Sequence, residues 1–96
     1  MTDRLACSVP FCRRSRHNRE GFSDWICGKH WMAVSAVQRR RYYKMRRQYR
    51  RRFGDNGFWC YPAGSPDRIA AARMDRLMSR MWERCKTSAI EIAAGI

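Results

Sequence analysis

The sequence predicts a mainly α-helical fold in which a loop-rich N-terminal region precedes two helices packed as an antiparallel hairpin. Residues 31–53 and 66–94 repeat apolar residues three and four positions apart, as one face of an α-helix requires. Residues 1–30 lack this spacing and hold three of the five cysteines and both histidines. With residues 54–65 as a connector, the chain is predicted to form a single domain over residues 1–96.

The segment 31–53 is predicted to be one amphipathic helix. At 100° per residue its apolar side chains form a stripe about 100° wide, while basic residues cover most of the remaining circumference. The stripe comprises Trp31, Val34, Tyr42, Met45, Tyr49 and Phe53. Gly54 stands where a glycine commonly ends a helix, and turn-forming residues follow it.

The second helix is predicted to begin after Ser65. Ser65 is a suitable N-cap, Pro66 suits the first turn, and Asp67 is favourable near the helix N-terminus. A second apolar stripe, able to pack on the first, consists of Ala71, Met74, Met78, Met81, Cys85 and Ile92. We therefore predict a helical hairpin, with Cys85 buried on the stripe and Cys60 buried in the connector.

Four residues of the N-terminal region have the spacing of a zinc site. Cys7-x4-Cys12 and Cys27-x2-His30 form two close pairs of thiolate and imidazole ligands, as tetrahedral zinc requires. An odd number of cysteines favours a metal over disulfides. Four protein ligands leave no position for water, so one structural Zn²⁺ is expected. Buried thiols without a metal are the alternative, with His17 as another fourth ligand and Cys60 as a further candidate at the metal.

Size and targeting signals are consistent with a small metal-stabilised protein of the cytoplasm. The chain has 96 residues, of which 30% are charged. This is close to the smallest size at which a hydrophobic core stabilises a domain without a metal or disulfides. The first ten residues lack the apolar segment of a signal peptide, and no run approaches the roughly 18 apolar residues of a membrane span. We therefore expect cytoplasmic localisation, with no membrane partner.

The net charge of +13 predicts a polyanionic partner. Nine of the fourteen residues from Arg39 to Arg52 are basic, and no acidic residue lies between Asp24 and Asp55 to neutralise them. The predicted nucleic-acid contacts are Arg39, Arg40, Arg41, Lys44, Arg46, Arg47, Arg50, Arg51 and Arg52 of the helix, with Arg13, Arg14 and Arg16 of the N-terminal loop. The partner can be DNA or RNA. A solvated helix face and an acidic protein surface are the alternatives.

Several aromatic residues are candidates for either core or contact roles. Tyr43 points away from the apolar stripe and could stack on a base. Phe58, Trp59 and Tyr61 either fill the core of the hairpin or form an exposed stacking platform.

Four segments together resemble a group of small, arginine-rich bacteriophage and prophage proteins of unassigned activity. These are Cys7-Ser-Val-Pro-Phe-Cys12, Asp24-Trp-Ile-Cys27-Gly-Lys-His30-Trp31, the arginine-rich helix, and Trp82-Glu-Arg-Cys85-Lys86. The resemblance covers nearly the whole chain. It implies that the protein acts in the cytoplasm of a bacterial host. The main alternative to a nucleic-acid-binding protein is then a phage-encoded inhibitor that binds an acidic host protein.

The two ligand pairs also resemble treble-clef zinc knuckles, so the N-terminal fold is expected to be treble-clef-like. Some treble clefs carry HNH nuclease activity, which needs a catalytic histidine and further metal-holding residues. Once His30 is assigned to zinc, His17 is the only histidine left. One histidine cannot both activate water and hold a catalytic metal, so we expect no enzymatic activity.

Overall fold

A computed structural model describes residues 3–96, and within them the fold is mainly α-helical, as predicted. Two short strands, β1 (Arg4–Ala6) and β2 (Ser15–His17), precede three α-helices. The helices are α1 (Gly28–Ala33), α2 (Ala36–Phe53) and α3 (Pro66–Ala94), with a 3-10 turn over Phe58–Cys60 in the connector. Part of the region predicted as loop is therefore a β-hairpin.

The two strands form an antiparallel pair around the first two cysteines. Leu5 lies opposite Arg16 at the centre of the pair, with Arg4 opposite His17 and Ala6 opposite Ser15. The pairing continues beyond the strands, because the Cys7 N–H donates to the Arg14 carbonyl across 3.0 Å. The hairpin thereby holds both ends of the Cys7–Cys12 loop together.

The predicted continuous helix over residues 31–53 is wrong, because the helical backbone stops at Ala33 and restarts at Ala36. Val34 has an extended conformation with ψ 144°, and its N–H donates to the Trp31 carbonyl across 3.1 Å. Val34 is also almost fully buried. Its apolar side chain extends the helical pattern through the break, so spacing alone could not locate the interruption.

The ends of α2 and α3 follow the predicted capping chemistry. Gly54 has a φ of 64° just past the end of α2, and its N–H donates to the Arg50 carbonyl across 2.8 Å. At the start of α3, the Ser65 hydroxyl accepts a hydrogen bond from the Arg68 N–H across 3.2 Å. The second helix begins and ends as predicted, at Pro66 and Ala94.

The chain divides into two compact units. The first comprises residues up to Ala36 together with Cys85–Ile96, and the second is Val37–Arg84. The buried apolar side chains of the first unit are Cys7, Val9, Ile26, Cys27, Val34, Cys85 and Ala89. In this unit the Lys86 ammonium lies 2.8 Å from the Asp24 carboxylate, so an ion pair joins the end of α3 to the cysteine-bearing loops.

The second unit is held by aromatic contacts. Phe53 and Ala71 are buried, and the Phe53 ring lies 5.0 Å from the Tyr49 ring and 5.8 Å from the Tyr61 ring. The Tyr42 ring lies 5.7 Å from the Trp82 ring. The predicted stripe residues of α2 therefore face the interior of this unit.

Two positions predicted as core, Ile92 and Cys60, lie at the surface, and Trp59 takes the exposed one of its two predicted alternatives. Ile92 is exposed, because the buried residues at this end of α3 are Cys85 and Ala89. Cys60 is exposed and Trp59 is 68% exposed, since the 3-10 turn directs both outward while Phe58 and Tyr61 remain half-buried.

Among the described residues, no helix is long and apolar enough to cross a membrane.

Candidate metal centre and basic surface

The four predicted ligands come together in the first unit. The ligand atoms of Cys7, Cys12, Cys27 and His30 all lie within 4.8 Å of one another. Two ligand pairs separated by 14 residues therefore converge on one point, as their spacing predicted.

The first ligand pair is carried by a tight loop between the strands. The Cys12 N–H donates to the Val9 carbonyl across 3.1 Å, which closes a β-turn just before Cys12. The Ser8 N–H donates to the Trp25 carbonyl across 2.8 Å, and the Val9 side chain is buried. These contacts fix the loop against the segment that leads to the second pair.

The second ligand pair spans the start of α1. Cys27 immediately precedes the helix and His30 lies in its first turn, so the helical backbone brings the two side chains to the same side. The Cys27 N–H donates to the Cys7 thiol sulfur across 3.3 Å. Backbone N–H groups directed at a thiol sulfur stabilise its thiolate form, which is the form that binds metal.

Three of the distances between ligand atoms are close to those of a tetrahedral metal site. His30 Nδ1 lies 3.2 Å from Cys27 Sγ and 3.7 Å from Cys7 Sγ, and Cys12 Sγ lies 3.9 Å from Cys27 Sγ. Ligands placed about 2.0–2.3 Å from a tetrahedral zinc are separated by roughly 3.3–3.8 Å. Each of the three sulfurs is a thiol rather than part of a disulfide. The donor set and its spacing therefore suit one metal ion with four protein ligands.

The protonation preferences of two cysteines differ within this cluster. Burial alone would raise the pKa of Cys27, but hydrogen bonds from the His30 backbone and imidazole and from the neighbouring thiols lower it to about 6. Burial raises the pKa of Cys7 above its ordinary value. The protein alone thus favours one thiolate, and a bound cation would favour the others because coordination deprotonates a thiol.

The remaining histidine and the two remaining cysteines lie elsewhere. His17 is exposed on β2, where its Nε2 is 3.3 Å from the Arg4 guanidinium. Cys85 is buried, as predicted, and does not belong to the cluster of ligand atoms in the described chain. Cys60 is exposed in the second unit. The cluster contains the four residues of the two pairs and none of these three.

The basic residues of α2 form an exposed cationic surface. All of them are exposed except Arg39, which is half-buried. Within residues 3–96, the basic residues from Arg40 to Arg52 form no ion pair with a carboxylate. The charge of these eight residues therefore remains unneutralised in the fold, as the sequence predicted.

A cleft lies on this surface. It has a volume of about 170 Å³ and is lined by Tyr43, Arg46, Arg47 and Arg50, which occupy successive turns of one face of α2. Three guanidinium groups beside a phenol ring offer hydrogen-bond donors to an anion and an aromatic surface to a planar group. We call these four residues the arginine cleft.

The three loop arginines differ in availability. Arg13 and Arg14 are exposed, whereas Arg16 is half-buried and lies 3.2 Å from the Glu20 carboxylate. Arg16 also donates to the His17 carbonyl across 3.2 Å. Arg13 and Arg14 are therefore the better candidates for contact with an anion.

Phe11 is a feature that the sequence analysis missed. It has a φ of 68° and its side chain is fully exposed, although it lies between two metal-ligand positions. The signal for the backbone conformation was Pro10, because a proline at the second position of a turn is often followed by a residue with positive φ.

No protein-family model matches the chain, and neither the curated proteins nor the solved structures contain a match to it.

Proposed function

We propose that this chain is a small zinc-binding protein that binds nucleic acid through α2. The observation that carries the proposal is the arginine cleft, whose three guanidinium groups, those of Arg46, Arg47 and Arg50, form no ion pair with a carboxylate of the described chain. Like charges on one helix face repel each other, and phosphate groups of a polyanion would relieve that repulsion.

In this proposal zinc is the resident metal and its role is structural. Three cysteines and one histidine form a donor set typical of structural zinc sites. Harder cations such as Mg²⁺ and Ca²⁺ prefer oxygen ligands, which this cluster does not offer. The ion would hold the hairpin loop against the start of α1, in a chain whose size leaves little core to do so.

We also infer a treble-clef-like arrangement in the first unit and an antiparallel helical hairpin in the second. The first is supported by a ligand pair on a β-hairpin followed by a pair at the start of a helix. The second is supported by the Tyr42–Trp82 contact, which joins the second turn of α2 to the middle of α3.

The proposed chemistry is binding without catalysis. His17 is the one histidine outside the ligand set, and it lies on the small hairpin beside Arg4. The setting that fits the proposal and the sequence resemblance is the cytoplasm of a bacterium that carries the phage or prophage. A phage-encoded inhibitor directed at an acidic host protein would use the same charged surface.

Binding of the zinc-loaded protein to fluorescent duplex DNA, single-stranded DNA and structured RNA tests the proposal. Replacing Arg46, Arg47 and Arg50 with alanine should weaken binding at least about tenfold, because several phosphate contacts are lost. The matched control replaces Arg73, Arg76 and Arg80, three exposed arginines of α3, and removes the same charge. Equal losses of affinity in the two variants would show that net charge determines binding, and not the position of the arginines on α2. No binding to any polymer, with stoichiometric capture of one acidic protein, would support the inhibitor alternative.

A further inference from the structure

Phe11 combines an unfavourable backbone conformation with a side chain that the fold does not use. Its φ of 68° lies in the left-handed region, which a bulky residue rarely adopts. It occupies the third position of the Val9–Cys12 turn, where positive φ favours glycine or asparagine. The fold would be served better by glycine at this position.

The phenyl ring contributes no packing to compensate for this strain. Phe11 is fully exposed, so its ring buries no apolar area against the protein. An exposed large aromatic side chain on a strained turn indicates a role outside the folded chain.

The loop holds the backbone of Phe11 in a defined position. Cys7 and Cys12 flank it as two members of the ligand cluster, and the Ser8 N–H is bonded to the Trp25 carbonyl. The neighbouring Val9 side chain is buried. Because the loop is fixed at several points, a partner could meet the ring at little cost in ordering.

The charge of the surrounding chain selects the kind of partner. Arg13 and Arg14 follow directly after Cys12, are exposed, and form no ion pair with a carboxylate of the described residues. An aromatic ring beside available guanidinium groups matches a nucleic acid, whose bases stack on rings while its phosphates accept from arginine.

We propose that Phe11 stacks on an unpaired base, so that the first unit recognises single-stranded or looped nucleic acid. The inference rests on the proposed nucleic-acid-binding function and specifies its substrate class. A paired base is already stacked within its duplex, and separating it costs free energy, whereas an unpaired base offers its face to the ring. Arg13 and Arg14 contact the adjoining phosphates.

The test compares Phe11→Gly with the wild-type zinc-loaded protein. Glycine relieves the backbone strain, so the variant should keep its zinc and unfold at the same or a higher temperature. Its affinity for single-stranded oligonucleotides should fall at least about fivefold, with little change for fully paired duplex. Phe11→Trp should retain the affinity. Phe22→Gly, at another exposed phenylalanine of the same unit, is the matched control and should leave affinity unchanged.

The outcomes separate this inference from the function on which it rests. If wild-type protein binds single strands with a steep salt dependence but Phe11→Gly binds equally well, the stacking role is wrong and the nucleic-acid function stands. If Phe11→Gly weakens binding to duplex and to single strands equally, the proposed preference for unpaired bases is wrong. If the wild type binds no nucleic acid, both proposals are wrong.

Discussion

The backbone N–H of Cys27 donates to the Sγ of Cys7 across 3.3 Å, although the two residues are 20 positions apart. This hydrogen bond links the two ligand pairs directly, so the folded backbone helps to prepare the site for an ion. It also places the start of α1 against the β-hairpin loop.

The ligand cluster predicts one zinc ion per chain. Cys27→Ser should lose the metal and unfold the first unit cooperatively, because it removes both a ligand and a buried thiol. Cys60→Ser is the matched control, and it should retain full metal content because Cys60 is exposed outside the cluster. Elemental analysis and circular dichroism measure the two effects. A Cys27→Ser protein that keeps stoichiometric zinc would contradict the assignment.

The cap of α3 predicts a modest stability loss on substitution. Ser65→Ala removes the hydroxyl that accepts from the Arg68 N–H, and should lower the free energy of unfolding by about 1 kcal/mol. Ser79→Ala, at an exposed serine within α3, should change stability by less than about 0.5 kcal/mol. Urea denaturation compares the two, and equal effects would show that the Ser65 hydroxyl is not a cap in solution.

Tyr49 predicts a pH-dependent difference in stability. Its hydroxyl donates to the Asn56 carbonyl across 2.6 Å, so Tyr49→Phe should cost about 1 kcal/mol at neutral pH. Burial, followed by the charge of Asp75, raises the pKa of Tyr49 above its ordinary value of 10.0. The unfolded chain then loses the Tyr49 proton first, and the wild type loses stability as the pH rises above 10.0.

Phenylalanine has no hydroxyl to titrate, so the stability of the Tyr49→Phe variant lacks this pH dependence. The difference in free energy of unfolding between the two proteins should therefore narrow in alkaline solution. Urea denaturation at neutral pH and above the ordinary tyrosine pKa measures the change. A difference in the free energy of unfolding that stays constant or widens with pH would contradict the partly buried environment of Tyr49.

Local chemistry made several features predictable from the sequence. Ser65 and Gly54 determine helix ends through their own hydrogen bonding and conformational freedom, so α3 and the end of α2 were placed correctly. The ligand set was predictable because structural zinc sites take thiolate and imidazole donors carried in pairs at short spacings.

Other features depend on contacts that spacing does not encode. Strands of three residues are too short to show an alternating pattern, so β1 and β2 were missed. Val34 is buried outside any helix, and its apolar character concealed the break between α1 and α2. Cys60 was expected in the core on the basis of its aromatic neighbours, but the 3-10 turn leaves it exposed.

The salt dependence of binding tests the central claim most directly. Basic residues on the accessible face of α2 should release several counterions from the nucleic acid, so affinity should fall about 10²- to 10³-fold between about 50 and 200 mM salt. In the variant lacking Arg46, Arg47 and Arg50, the logarithmic slope should become shallower by about two to three. Affinity that stays constant across this range, or an unchanged slope in the variant, would contradict phosphate binding by α2.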